Sequence, residues 1–198
     1  MFDQKTIRFY ENEAFRYAAA TAVHSMNEPM DRLTKFLPSK ALILDLGCGG
    51  GRDLANFSRR GFSAIGLDAS SELAKIAGRT SGCPVVVGDL LQLPFAGGTF
   101  DAVWASASLL HVRRSEIDRA LNLVNDILVT GGLFFCSLKV GRGEVRTDDS
   151  RLFTYFMPSE WEEHLIRKGF ELVERQADEL NAFDSGDRWM NTIARSVK

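Results

Sequence analysis

From about residue 40 onward, short apolar runs alternate with longer stretches in which apolar residues recur at helical spacing. The runs are almost wholly apolar, which is typical of strands that are covered on both faces of a sheet. The pattern predicts strands at residues 41–46, 62–67, 84–87, 100–105, 133–138, 170–174 and 189–197.

Amphipathic stretches between these runs predict helices, and polar residues and glycines mark where they begin and end. Strand–helix alternation of this kind indicates a parallel sheet with helices on both faces, so the predicted fold class is α/β. Helices are expected over residues 52–60, from Ser70 or Ser71 to about residue 79, from Ser115 onward, and from a capping box at Ser159 and Glu162 to Gly169.

Pro38 marks the one boundary that the pattern suggests. Residues 1–37 are predicted to form a helical arm that belongs to the same domain, with Ala14 and Tyr17 on one face. Residues 38–198 are predicted to form the core. A chain of 198 residues is long enough for one domain with a substantial hydrophobic interior.

Composition and charge limit the partners and the cellular compartment that we expect for this domain. The chain is 45% hydrophobic and 25% charged with a net charge of −2, so no global field draws it onto nucleic acid or an anionic membrane. Charged residues are spread through the first twenty positions, and no apolar run approaches the length of a membrane span. Because Cys48, Cys83 and Cys136 lack metal-site spacing, we predict a reduced, cytoplasmic protein without structural zinc or disulfides.

A glycine loop follows the first core strand, where residues 44–51 read Leu-Asp-Leu-Gly-Cys-Gly-Gly-Gly. Ligands of open α/β sheets bind beyond the carboxyl ends of the strands, and the free N–H groups of the next helix favour an anion there. A dinucleotide fingerprint would need glycine or alanine at position 52, where this sequence has Arg52. Arg52 therefore weakens the dinucleotide interpretation of the loop.

The glycine spacing, with Asp45 two residues before Gly47, resembles motif I of the class I methyltransferases that use S-adenosylmethionine (SAM). The resemblance implies that Gly47, Cys48 and Gly49 hold the amino-acid end of SAM. Asp45 would then face the α-amino group, and Arg52 could pair with the carboxylate. A simpler interpretation stays open, in which Asp45 only caps the following helix and Cys48 only fills space.

Two further acids stand at the ends of the next two strands. In the same family, an acid at the position of Asp68 accepts both ribose hydroxyls, with Ala69 beside it. The resemblance also implies that Asp89 meets the adenine amino group while Leu90 packs on the base. Ordinary turn roles remain the alternative for both acids.

The later landmarks are similar to further motifs of this family. The strand that ends at Ser106 resembles the fourth motif, which lies beside the reactive methyl group, and residues 131–133 match the turn before the fifth strand. The resemblance covers nearly the whole chain and is closest to small bacterial methyltransferases of the tellurite-resistance type and their generic relatives. It implies a Rossmann-like, seven-stranded, mostly parallel sheet with helices on both faces, an antiparallel last strand and an N-terminal helical arm.

Candidate acceptor-site residues are less sharply defined. His111 follows the fourth motif and is a candidate general base, with a satisfied loop histidine as the alternative. Tyr10 and Tyr17 lie on a stretch that resembles the arm closing over SAM in small bacterial methyltransferases, with core packing as the alternative. The polar segment 139–151 is long for a turn and is predicted to be either a substrate lid or a solvated loop. The remaining candidate substrate contacts are Arg142, Arg146 and Arg151, which could receive an anion, and Tyr155.

The resemblance implies transfer of a methyl group from SAM to a small molecule by in-line displacement, with S-adenosylhomocysteine as the second product. The sequence after the fourth strand reads Ser-Ala-Ser, without the Pro-Pro motif typical of enzymes that methylate amino groups of nucleic acids. We therefore expect no nucleic-acid, membrane or metal partner, and a monomer or a homodimer. The alternatives are an NAD(P)-dependent oxidoreductase and a SAM-binding protein that lacks transferase activity.

Overall fold

The computed structural model describes residues 3–177 and 188–198. Within them the strands are β1 (Leu42–Leu46), β2 (Ser63–Asp68), β3 (Val85–Val87), β4 (Phe100–Ser106), β5 (Leu128–Lys139), β6 (Glu144–Arg146), β7 (Leu152–Thr154), β8 (Phe170–Ala177) and β9 (Trp189–Ser196). The helices are α1 (Gln4–Asn12), α2 (Ala14–Thr21), α3 (Asn27–Thr34), α4 (Arg52–Arg59), α5 (Ser71–Ser81), α6 (Ile117–Ile127) and α7 (Pro158–Arg167). Among these helices, none combines the length and the apolar character that a membrane span requires.

One sheet contains all the strands that the apolar runs predict, in the order β3-β2-β1-β4-β5-β9-β8. The strands β1 to β5 run parallel to one another, whereas β9 lies between β5 and β8 and is antiparallel to both. The predicted Rossmann-like, mostly parallel sheet with an antiparallel last strand is confirmed. The strand order reverses between β1 and β4, and such a switch point is where ligands bind in open α/β sheets.

Helices cover both faces of the sheet because successive side chains of each central strand point to opposite faces. Ile43 of β1 and Trp104 of β4 pack with Phe57 of α4 on one face. Leu44, the neighbour of Ile43, packs in the other cluster with Leu121 of α6. The central strands are therefore buried on both sides, which explains why their sequences are apolar without interruption.

Two predicted helix starts differ from the structure. Ser70 caps α5 as predicted, since its Oγ accepts a hydrogen bond from the Leu73 amide at 3.1 Å. The capping box at Ser159 is wrong, because α7 begins one residue earlier at Pro158 and has no side-chain cap. Proline at the first position already has a helical φ and lacks an N–H group that needs a partner. Ser115 lies in a short 3₁₀ turn before α6 and does not cap that helix.

The segment 139–151 is not a structureless loop, because it contains β6 and leads into β7, with which β6 forms an antiparallel hairpin. Leu152 and Phe153 of β7 are buried, whereas β6 is exposed. The polar composition of the segment concealed the hairpin, because the outer strand faces solvent and the apolar residues that anchor it come after residue 151.

The N-terminal arm is helical and is tied to the rest of the chain at several points. Met30 and Leu33 of α3 are fully buried against the sheet. Asp3 caps α1 by accepting from the Thr6 amide at 2.9 Å, and its carboxylate also pairs with Arg146 of β6 at 2.8 Å. The arm therefore contacts both the sheet and the β6–β7 hairpin.

Candidate active site

The glycine loop joins β1 to α4 in a tight turn at the carboxyl end of the sheet. The amides of Gly47 and Cys48 both donate to the Leu67 carbonyl oxygen, at 2.8 and 3.0 Å. Gly47 has a φ of +78°, and a Cβ atom added there would lie 2.4 Å from the Cβ of Ser108. Both the backbone conformation and the lack of space therefore require glycine at this position.

Asp45 lies beside this loop with a carboxyl group that is only partly satisfied. The side chain is buried, and within the described residues its Oδ2 has no hydrogen-bond partner. Burial raises the pKa of Asp45 well above its usual range, and the carboxyl groups of Asp53 and Asp68 raise it further. A nearby cation would stabilise the ionised form of such an acid. The position therefore fits the α-ammonium group of an amino-acid moiety.

Arg52 lines a chamber beside the glycine loop together with Asp45, but it is already paired within the protein. Its Nε and Nη2 donate to the two carboxyl oxygens of Asp53, at 2.6 and 2.8 Å. Asp53 also accepts from Trp104 Nε1 at 2.9 Å, so three groups are locked together. Asp53 therefore already holds the Arg52 guanidinium, and the pairing of Arg52 with the SAM carboxylate stays a prediction. Asp53 was not predicted, since an acid in the first turn of a helix is common.

Asp68 ends β2 and supports the glycine loop from the other side. Its two carboxyl oxygens accept from the amides of Gly49 and Ser70, both at 2.8 Å. Burial raises the pKa of Asp68 to about 6, although the two amides oppose the rise. Each carboxyl oxygen has a further lone pair, so Asp68 can accept two hydroxyl donors from the cleft that it lines together with Ala69.

The third predicted acid has a more local role. Asp89 follows β3, and its Oδ1 accepts from the Leu91 amide at 2.8 Å, which closes a turn. Leu90 is buried and lines the cleft, as does Leu73 of α5. This end of the cleft offers apolar side chains against which a flat base can pack.

The main cleft is covered by the arm and contains about 470 Å³ of space that opens to solvent. A second chamber lies around Asp45, Arg52 and Ser106. Tyr17 lines both spaces, so it stands at their junction. The main cleft is lined by Ile7, Tyr10, Tyr17, Gly47, Gly49, Asp68, Ala69, Ser70, Leu73, Leu90, Ala107, Ser108 and His111.

His111 is buried at the edge of this cleft, and both of its ring nitrogens are engaged. Nδ1 lies 2.6 Å from the Leu152 carbonyl oxygen, and Nε2 lies 2.7 Å from the Tyr10 hydroxyl oxygen. Burial lowers the pKa of His111 to about 4, so the ring is neutral near pH 7. A general base with neither a free nitrogen nor affinity for a proton is poorly suited to its task. The structure therefore argues against the predicted base role of His111.

Most of the other predicted substrate contacts lie outside the cleft. Arg142 is exposed in the bend between β5 and β6, and Arg146 pairs with Asp3. Tyr155 donates its amide to the Gly143 carbonyl oxygen and packs beside Gly141. These positions follow from the hairpin, which the polar sequence did not reveal.

Arg151 and Ser108 complete the surroundings of the cleft. Arg151 pairs with Asp149 at 2.7 Å, and its guanidinium carbon lies 4.4 Å from the ring centre of Phe9. Ser108 was not predicted, yet it lines the cleft with a buried Oγ that has no partner among the described residues. Its place two residues after the end of β4 is the signal that sequence reasoning could have used.

Comparisons with known proteins agree with this geometry. Residues 43–132 match the family described as a methyltransferase domain. The demethylmenaquinone methyltransferase of Thermobifida fusca is 39% identical over 105 residues, which cover 50% of this chain and 44% of that relative. The chain therefore matches less than half the length of this curated relative.

Solved structures extend the likeness to almost the whole chain. The 1,6-didemethyltoxoflavin-N1-methyltransferase of Burkholderia thailandensis, with 1,6-didemethyltoxoflavin and S-adenosylhomocysteine bound, has a TM-score of 0.83 at 21% identity and covers 98% of this chain and 88% of its own. The cyclase SpnF has a TM-score of 0.73 at 20% identity, with coverages of 86% and 80%. At these identities the likeness establishes the fold, and the cyclase shows that the fold alone does not define the reaction.

The glycine loop, with Asp45 and Asp68 at or near adjoining strand ends, forms a candidate cofactor site at the switch point of a Rossmann-like sheet. The matched family and the structural neighbours define the class more closely. Residues 43–132 match a methyltransferase domain, and the fold is shared with a solved methyltransferase that holds S-adenosylhomocysteine.

Proposed function

We propose that this protein transfers a methyl group from SAM to a small-molecule acceptor. The observation that carries the proposal is the buried Asp45 Oδ2, which has no partner in the described part of the chain and stands beside a glycine loop that is open to a ligand. Asp68 and Leu90 continue the site toward the ribose and the base. The proposed cofactor contacts are Tyr17, Asp45, Gly47, Cys48, Gly49, Arg52, Asp68, Ala69, Asp89, Leu90 and Ser106.

When bound, SAM supplies an electrophilic methyl group, and the electron pair of the broken carbon–sulfur bond returns to sulfur. The task of the chain is to place the acceptor in line with that bond and to exclude water. Asp45 and Asp68 orient the amino-acid part and the ribose of the cofactor, and Tyr10 and Tyr17 cover the cleft from the arm. Because both ring nitrogens of His111 are hydrogen-bonded and its pKa of about 4 makes it a weak base, these residues position the nucleophile rather than deprotonate it.

Several features support the finer parts of this proposal. The Burkholderia neighbour holds 1,6-didemethyltoxoflavin, which supports a small molecule as the acceptor. Residues 1–37 would serve as a lid on the core of 38–198, because Ile7, Tyr10 and Tyr17 form one wall of the cleft. All three cysteines are free thiols, which supports a reducing compartment such as the cytoplasm.

Isothermal calorimetry with S-adenosylhomocysteine, SAM and NAD⁺ tests the cofactor assignment. We expect S-adenosylhomocysteine to bind and Asp45→Asn to weaken it at least tenfold, about 1.4 kcal/mol. Asp118→Asn is the matched control, because Asp118 pairs with His164 and Lys168 on the surface. This variant should bind S-adenosylhomocysteine with the affinity of the wild type. Binding of NAD⁺ without S-adenosylhomocysteine would overturn the assignment in favour of an oxidoreductase.

Transfer of labelled methyl from SAM into a cell extract tests the reaction itself. We expect label in the small-molecule fraction, lost in Asp45→Asn and kept in Asp118→Asn. Cofactor binding without label in any fraction would favour the alternative, a SAM-binding protein that lacks transferase activity.

The affinity for S-adenosylhomocysteine should rise with pH. Asp68 has a pKa near 6 in the free protein, and hydroxyl donors bind its ionised form better, so binding must release its proton below that pH. The raised pKa of Asp45 acts in the same direction, since an ammonium group also favours the carboxylate. We expect the dissociation constant to increase about tenfold from pH 7 to pH 5. Titrations across this range provide the check, and an affinity that does not change, or that falls as pH rises, would contradict it.

A further inference from the structure

Tyr10 of α1 lines the main cleft together with Ser108 and His111, which follow the end of β4. Under the proposed function, the end of β4 is where the acceptor meets the methyl group. The polar atoms in this corner of the cleft therefore determine which acceptors fit.

Two hydrogen bonds in series fix the Tyr10 hydroxyl group. A carbonyl oxygen can only accept, so His111 Nδ1 carries the ring proton and donates it to Leu152. Nε2 is then an acceptor, and it receives the O–H of Tyr10. Burial raises the pKa of Tyr10 beyond its usual range, so this hydroxyl stays protonated. Since the proton of Tyr10 is committed to His111, its oxygen faces other molecules only as a hydrogen-bond acceptor.

Among the described residues, one other group contacts the Tyr10 hydroxyl oxygen, and that contact is long. Arg151 Nη1 lies 3.4 Å from it, while Nε and Nη2 of the same guanidinium pair with Asp149. A well-formed hydrogen bond to oxygen would be several tenths of an ångström shorter. One lone pair of the Tyr10 hydroxyl is therefore open to a donor from the cleft.

Among the described residues, the side chains that line the cleft include no cation that could pair with an anion, although Lys139 and Arg151 lie close enough behind its wall to act on His111. Asp68 is the one charged side chain among the described residues that line it, because His111 is neutral. The arginines nearby are paired with acids outside the cleft, Arg146 with Asp3 and Arg151 with Asp149. A carboxylate or phosphate on the acceptor would lose its hydration without gaining a free cation.

We propose that the Tyr10 hydroxyl binds the acceptor, and that the acceptor is an uncharged molecule that presents an N–H or O–H donor to it. His111 is then a positioning residue, which holds Tyr10 in its accepting orientation. The buried Oγ of Ser108 offers a second polar contact in the same corner. This inference rests on the proposed methyl transfer.

Pairs of probes that share a ring and differ in charge test the inference. Uracil and orotate form one pair, and 4-hydroxybenzamide and 4-hydroxybenzoate form another. Each is titrated into protein saturated with S-adenosylhomocysteine and followed by saturation-transfer NMR. We expect the neutral member to bind at least tenfold more tightly than the anionic member in at least one pair.

Two tyrosine variants then locate the contact. Tyr10→Phe should weaken the neutral probe at least tenfold more than it weakens S-adenosylhomocysteine, whereas Tyr155→Phe, which lies outside the cleft, should match the wild type. In the ¹⁵N spectrum, His111 Nε2 should shift in Tyr10→Phe, because it loses its donor, and not in Tyr155→Phe.

Three results would overturn the inference: equal or tighter binding of the anionic probes, equal effects of the two variants, or no binding by either member of any pair. If S-adenosylhomocysteine binds in those cases, the proposed function stands and only the acceptor inference fails. If S-adenosylhomocysteine does not bind the wild type, the proposed function itself has failed.

Discussion

Gly47→Ala should abolish measurable binding of S-adenosylhomocysteine and lower the free energy of unfolding. An alanine at a φ of +78° costs about 1–2 kcal/mol, and its Cβ would lie 2.4 Å from the Cβ of Ser108. Relief of that overlap moves the loop and adds about 1–3 kcal/mol. The shift also pulls the amide of residue 47 away from the Leu67 carbonyl oxygen, so the ligand-facing backbone is lost. Calorimetric titration and denaturant unfolding measure the two effects.

Gly78→Ala is the matched control for this variant. Gly78 lies within α5, and a Cβ added there meets nothing within 4 Å. Alanine favours a helix over glycine, so the control should gain about 0.5–1 kcal/mol of stability and bind S-adenosylhomocysteine like the wild type. If Gly47→Ala also bound normally, the backbone at Gly47 would not be part of the cofactor site.

The central sheet could be predicted because its signal is local. Each of β1, β2 and β4 is buried on both faces, so each appears in the sequence as an apolar run that needs no knowledge of its neighbours. The positions of Asp45 and Asp68 then follow, since they stand at or near the ends of those runs. The β6–β7 hairpin was missed because its outer strand is polar and its inner strand is only three residues long.

The chemical environment of the site could not be predicted, because it depends on partners that are distant in sequence. His111 is a plausible base until Tyr10, 101 positions earlier, and Leu152, 41 positions later, occupy its two nitrogens. The Arg52 guanidinium is held by Asp53, and Trp104, 51 positions after Asp53, fixes that acid in place. A local pattern shows which residues reach the site. Their protonation states and the hydrogen bonds that they can still form depend on tertiary contacts.

Asp53→Ala should be among the most destabilising substitutions in the site. It removes two of the three acceptors that the Arg52 guanidinium has among the described residues and leaves the Thr21 carbonyl oxygen. It also removes the acceptor of Trp104 Nε1, and Trp104 is fully buried. Breaking a buried charge pair costs about 3–5 kcal/mol, and we expect about 3 kcal/mol because Arg52 is 22% exposed. Denaturant unfolding of the variant against the wild type measures this loss.

Asp31→Ala provides the comparison, since it also removes an arginine–aspartate pair. Asp31 pairs with Arg60 at 2.6 Å but is 61% exposed, so its loss should cost at most about 1 kcal/mol. Equal losses in the two variants would show that Asp53 does not hold a desolvated guanidinium.

Asp53→Ala also tests whether the Arg52–Asp53 pair supports the cofactor site. Without Asp53, the Arg52 guanidinium keeps only the Thr21 carbonyl oxygen as a partner among the described residues, so it can turn toward Asp45, which lines the same chamber. It would then neutralise the carboxylate that we assign to the α-ammonium group, and the affinity for S-adenosylhomocysteine should fall at least tenfold. Asp31→Ala should leave that affinity unchanged. If Asp53→Ala lost stability and kept full affinity, the pair would be a structural support only, and Asp45 would bind its ligand without help from the placement of Arg52.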